Sequence, residues 1–275
     1  MAMTTASPSA RGTPVRQPTL YLPHGGGPCF FMPDPQGVWR GMEAFLRGVA
    51  ATLPQRPDAI MIASGHWETD GFAFTGHPAP PLLFDYYGFP ASTYALSYPA
   101  PGDPALAARA RDLLIAAGLE ARVDEERGLD HGVFVPMMVT FPGADIPIVE
   151  MSLDRSLDPA LHLAAGRALA PLRDENILLV MTGMSFHNMR GYRDPSATEP
   201  SQQFDRWLVD AAGRDAGERA ALLAGWAEAP AARFSHPREE HLLPLMVAAG
   251  ASDALGERIY GEVVMETALS AFRFA

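Results

Sequence analysis

The chain carries eight histidines, and three of them close apolar runs: His24 after TLYLP, His66 after AIMIASG and His187 after ILLVMTGMSF. If those runs are strands of an open α/β sheet, their carboxyl ends form the edge at which such folds bind ligands. A single histidine there is more often structural than functional, but three on one edge point to a site. His241 opens the apolar helical run HLLPLMVAAG, from which a first turn could offer another ligand, and His131 lies in the Gly-flanked turn of GLDHGVFVP. His236, beside a proline, reads as a supporting partner or a cap, and His77 and His162 as surface or packing residues. Converging neutral imidazoles with carboxylates nearby suit a divalent first-row metal. Three or four histidines satisfy zinc. Iron(II) commonly takes two histidines and a carboxylate, which Glu68, Glu239 or Glu240 could supply. Spacing alone leaves both metals open.

The glycines after His24, in TLYLPHGGGPCFF, allow other chemistry. His-Gly-Gly-Gly forms an oxyanion hole in esterases, but that reading needs a Gly-x-Ser-x-Gly nucleophile elbow. The nearest match, GMSFH at 183–187, has His187 in place of the second glycine, so a serine hydrolase working through Ser185 is the weaker reading. A phosphate loop lacks its Gly-Lys-Ser/Thr and places a proline where free N–H donors are needed. Cys29, between Pro28 and Phe30, is a nucleophile on paper and more plausibly a small buried hydrophobe.

The elements that would hold these residues read as alternating strands and helices. TLYLP (19–23), AIMIAS (59–64), IPIVEMSL (146–153) and ILLVMTG (177–183) are continuous apolar runs, as strands covered on both faces should be. Helical spacing marks 39–53, and Asp-Pro starts mark 103–118 and 158–174; a further amphipathic helix is expected near 203–213. The pattern predicts an α/β fold of one three-layer domain, with a mostly parallel or mixed central sheet flanked by helices. Residues 76–102, rich in Pro, Gly and aromatics, should form long loops or an edge hairpin over the core, and long ordered loops are usually functional. Residues 1–17 read as a disordered leader and 18–275 as the catalytic domain.

With 275 residues, 48% of them hydrophobic, the chain can bury a sizeable core. Its net charge of −11 disfavours nucleic acid and anionic membrane, and no run is long enough to span a bilayer. A small molecule is the expected partner. The single cysteine precludes an intrachain disulfide and fits a reducing compartment, and the absence of an apolar signal segment favours the cytoplasm.

The motifs PHGGGP, ASGHWET, DYYGFP, YPAPGDP, GLDHGVFVPM, ADIPIVEMSL, GMSFHN and HPREEHLLPL, in this order from about Leu20 to Gly250, resemble the class III extradiol ring-cleavage dioxygenases, in their DOPA 4,5-dioxygenase-like branch. The resemblance implies dioxygen-dependent cleavage of a catechol next to its hydroxyls, with dioxygen as co-substrate. It implies a non-haem metal, Fe(II) first and Zn(II) as an occupant of isolated protein, held by His24, His66 and His241. It casts His187 as acid/base, able also to act as a fourth ligand, and His131 as a substrate-facing histidine. Tyr86, Tyr87 and Phe89 are expected to wall an aromatic pocket. PHGGGP stands where many DOPA-cleaving relatives have Ser-His-Gly-Ser-Pro. A zinc-binding non-oxygenase or a metal-dependent hydrolase on the same fold is the alternative, although a metal-storage role needs neither His187 nor His131.

Overall fold

The computed structural model describes residues 15–275. The expected leader therefore lies outside the described residues except for its end, and there Gln17 is buried, its side chain donating to the Asn176 side chain (2.6 Å) and its N–H to the Arg173 carbonyl (3.0 Å). Gln17 belongs to the folded body.

Eight strands form one mixed sheet: β1 (Thr19–Pro23), β2 (Ala59–Thr69), β3 (Phe72–Thr75), β4 (Ala121–Asp124), β5 (Ile148–Asp154), β6 (Ile177–Gly183), β7 (Gly256–Val264) and β8 (Thr267–Phe274), in the order β4-β3-β5-β2-β6-β1-β8-β7. The four apolar runs are its parallel centre, β5-β2-β6-β1. Antiparallel contacts join β3 to β5, β8 to β1 and β7 to β8 at the two flanks.

The helices are α1 (Arg40–Val49), α2 (Pro104–Ala116), α3 (His131–Thr140), α4 (Pro159–Leu169), α5 (Thr198–Ala212), α6 (Ala216–Ala224), α7 (Ala232–Ser235) and α8 (Leu243–Gly250). Side chains alternate across each central strand. Met61, Leu179 and Tyr21 face a core shared with α2, α4, α5 and α8, whereas Ile60, Ile62, Leu178 and Val180 face one shared with α1 and α3. Both Asp-Pro starts are caps: Asp103 accepts from the Leu106 N–H and Asp158 from the Ala160 N–H. No helix of the described residues is long and apolar enough to cross a membrane. The 76–102 segment contains no hairpin; its one pairing is an isolated bridge, Leu82 to Leu129, and it lies as a loop over the α3 face.

Candidate metal centre

Three chain segments meet at the carboxyl edge of the parallel strands. His24 follows β1 directly. His66 lies inside β2 rather than beyond it, at the irregularity between Ala63 and Glu68 where the pairing to β5 shifts. His241 lies two residues before α8, and its carbonyl accepts from the Tyr21 hydroxyl (2.8 Å) and the Met184 N–H (3.1 Å). Gly183 makes that approach possible, because a Cβ there would collide with the same carbonyl. The three rings sit at nearly equal spacing: 5.1 Å from His24 to His66, 5.1 Å from His24 to His241 and 4.8 Å from His66 to His241.

Hydrogen bonding fixes which nitrogens face inward. His24 Nδ1 donates to the Gly25 carbonyl (2.9 Å), leaving Nε2 buried without a partner. His241 Nδ1 donates to Glu240 Oε1 (2.9 Å), which turns its Nε2 toward His66 Nε2, 3.2 Å away. The His66 Nδ1 edge faces Asp85 at 3.6 Å, an electrostatic contact too long for a hydrogen bond. Burial first, and then the neighbouring histidines, push the protonation of His24 well below the ordinary imidazole range; for His66 the value falls to about 4. Burial also lowers His241, against the opposing pull of Glu240. With Nδ1 held by an oxygen, His24 and His241 keep Nε2 as a lone pair, and that of His241 faces the His66 ring, an arrangement that a cation between them relieves. The donor set thus fits a divalent metal.

Two further histidines border this trio. His131 begins α3 rather than lying in a turn, and its Nδ1 and backbone N–H both donate to Asp85 Oδ1 (2.7 and 3.0 Å). Its ring lies 4.1 Å from His66 and 5.7 Å from His24, so His24, His66 and His131 form a second, less even candidate trio. His187 lies four residues past the end of β6. Its N–H donates to the Ser235 carbonyl (2.9 Å), its Nδ1 faces Glu240 Oε1 at 3.2 Å and its ring stacks on His241 at 3.4 Å. Burial raises the proton affinity of Glu240, but hydrogen bonds from His187 and His241 outweigh it and hold the carboxylate ionised.

Of the three candidate carboxylates, Glu68 and Glu239 are corrected: Arg238 occupies the first (2.5 and 2.6 Å) and Arg233 the second (2.6 Å). Glu240 orients two imidazoles. The sequence reading missed Asp85, which does the same for His131 and faces His66. Burial opposes its ionisation, but the His131 hydrogen bond prevails and brings its pKa to about 2.

The remaining readings resolve in the same way. Ser185 is buried and its hydroxyl accepts the Ser270 N–H (2.8 Å), so no nucleophile elbow exists. Burial pushes the Cys29 thiol up to about 12. It packs as a small hydrophobe beneath Gly25, whose φ of +80° and missing Cβ leave room for the sulfur. His236 is buried and donates to the Ser185 carbonyl (3.0 Å), supporting the strand-to-loop segment that carries His187. His162 is a core residue bonded at both nitrogens, and His77 accepts a local N–H.

A cavity of about 440 Å³ opens over the five histidines. Tyr86, Tyr87 and Phe89 all line it, together with Trp39, Met184, Met189, Tyr192 and Met265, which the sequence reading did not single out.

A mixed α/β sheet with a histidine centre at its edge, open to an aromatic cavity, defines a metalloenzyme class suited to flat aromatic substrates. Within that class, the family model described as the catalytic LigB subunit of aromatic ring-opening dioxygenase matches residues 18–271, and the chain belongs to this family. It is 40% identical over 260 residues to the dioxygenase tasH of Hapsidospora irregularis, covering 86% of this chain and 78% of that protein. It is 36% identical over 246 residues to a 4,5-DOPA dioxygenase extradiol of Escherichia coli K12 (87% and 86%), and 37% over 230 residues to that of Portulaca grandiflora (78% and 79%). Among solved structures, an uncharacterized protein of Escherichia coli K12 superposes with a TM-score of 0.76 at 30% identity, covering 94% of this chain and 100% of that one. The protein is a metal-dependent extradiol ring-cleavage dioxygenase.

Proposed function

We propose that His24, His66 and His241 hold iron(II) and that the protein opens a catechol ring beside its hydroxyl-bearing carbons, both atoms of dioxygen entering the product. The observation that carries this reading is the near-equal spacing of the three rings at the cavity floor, with His66 Nε2 and His241 Nε2 at 3.2 Å and His24 Nε2 buried without a partner. The near-equal ring spacing favours His241 over His131 as the third ligand. Zinc fits a three-histidine set but has no redox chemistry, so zinc in isolated protein is an inactive occupant. A divalent metal there supplies Lewis acidity toward the two catechol oxygens and, as iron(II), electrons for dioxygen.

The chain's own groups do the remaining work. His187, braced by Glu240, accepts a proton from a substrate hydroxyl and later returns one to the opening ring. His131, fixed by Asp85, hydrogen-bonds the second hydroxyl side. Tyr86, Tyr87 and Phe89 flank the ring plane. The substrate partner is a small aromatic molecule. Net charge argues against nucleic acid and anionic membrane, and the single buried cysteine supports a cytoplasmic setting.

Protein stripped of metal and reloaded anaerobically with iron(II) should turn catechols yellow on admission of air, as the ring-opened product absorbs visible light. The zinc-loaded sample should stay colourless. Equal turnover by zinc-loaded or metal-free protein would contradict the assignment.

A further inference from the structure

The cavity walls carry little besides hydrocarbon, aromatic faces and thioethers. Among the described residues no arginine and no carboxylate lines it, and the chain contains no lysine. Its polar groups are concentrated on the floor, in the five histidines already placed around the metal. Two tyrosines turn their hydroxyls away: Tyr86 donates to the Thr93 carbonyl (2.6 Å) and Tyr192 to the Phe186 carbonyl (2.8 Å), so both present rings to the cavity.

The mouth continues this character into solvent. Tyr87 is 91% exposed and Met189 71% exposed, the two most exposed large hydrophobics among the described residues, and both line the cavity. Exposed apolar side chains gathered at the rim of a pocket mark a surface that a ligand covers. Unbranched methionines such as Met189 and Met265 adapt to varied apolar shapes. A carboxylate brought into these walls loses water and finds no cationic partner among the described lining residues, which is unfavourable.

Resting on the ring-cleavage reading above, we infer that the substrate is a catechol whose ring substituent is uncharged and apolar, seated against Trp39, Tyr87, Met189 and Met265. Charged side chains such as the amino-acid group of DOPA are discriminated against.

The test uses substrates matched in length: 4-propylcatechol, 3-(3,4-dihydroxyphenyl)propionate and DOPA. For iron(II)-loaded protein in air, kcat/KM should be roughly 10–100-fold higher for 4-propylcatechol than for either charged compound. Anaerobic titration of zinc-loaded protein should give the same order of affinities, read without turnover. Met189→Arg, at an exposed rim position where folding is not at stake, should shift the propionate-to-propyl ratio at least about tenfold toward the propionate. Equal or better use of a charged compound overturns the inference, as does an unchanged ratio in M189R. If none of the three is cleaved while the affinity order holds, the ring-cleavage reading fails and the cavity inference stands; absence of any affinity preference rejects the inference itself.

Discussion

Replacing His241 by alanine should release the metal and reduce ring cleavage to background. The side chain is buried, its Nε2 faces His66 Nε2, and two hydrogen bonds from Tyr21 and Met184 hold its carbonyl independently of the imidazole. The backbone therefore stays in place when the ring is removed, and the loss falls on the centre rather than on the fold. Partners outside the coordination sphere are each worth about 10–100-fold in metal affinity, so deleting a ligand should cost more than ~10²-fold. Elemental analysis after dialysis, with product absorbance, reads both effects. His77→Ala, at a half-buried histidine remote from the cavity lining, is the matched control and should keep metal and activity. H241A protein with full metal occupancy and normal turnover would remove His241 from the ligand set.

His187→Gln should behave differently, keeping metal while losing turnover. Glutamine can still donate to Glu240 Oε1, which remains hydrogen-bonded to His241, so the support of the third ligand survives. What disappears is a group that can take and return a proton, and general acid–base groups contribute about 10²–10⁴-fold. A loss of kcat in that range, with metal content and catechol affinity near normal, is the expected result. The stacking of His187 on His241 at 3.4 Å also permits a ligand role. That role predicts released metal with normal turnover per metal bound, an outcome that single-turnover kinetics would separate from the first.

The sequence disclosed most where burial is most uniform. The four central strands have apolar cores on both faces, and such strands appear as unbroken apolar runs whose boundaries fall within two residues of those observed, except that β2 continues to Thr69, past the end of AIMIAS. The flanking strands are harder to read. β3 has only four residues and β4 is half-exposed. The β7–β8 hairpin turns through Met265 and Glu266 with φ of 48° and 69°, left-handed positions filled without the Asn-Gly or Asp-Gly that normally announces such a turn. α3 is apolar all round and contains Pro136; the Gly132 carbonyl that the proline leaves free accepts the Thr182 hydroxyl instead (2.7 Å). Periodicity gave no signal there.

The site divides along similar lines. Histidines after apolar runs are visible as residue types, and the fold gathers His24, His66, His131, His187 and His241 in one cavity. For His187 and His131 the oxygen that meets Nδ1 comes from a distant segment: Glu240 reaches His187 across 53 positions of chain, and Asp85 reaches His131 across 46. No pattern within either segment encodes those pairings. The apolar rim is assembled likewise, with Trp39, Met189 and Met265 arriving from separate loops.

Anomalous diffraction at the iron edge from anaerobically loaded crystals would identify the three ligands. One peak is expected, within about 2.1 Å of Nε2 of His24, His66 and His241, the usual metal–imidazole distance, with Asp85 and Glu240 outside the coordination sphere. A peak between His24, His66 and His131 with His241 unbound, or one held by His187 and Glu240, would contradict it.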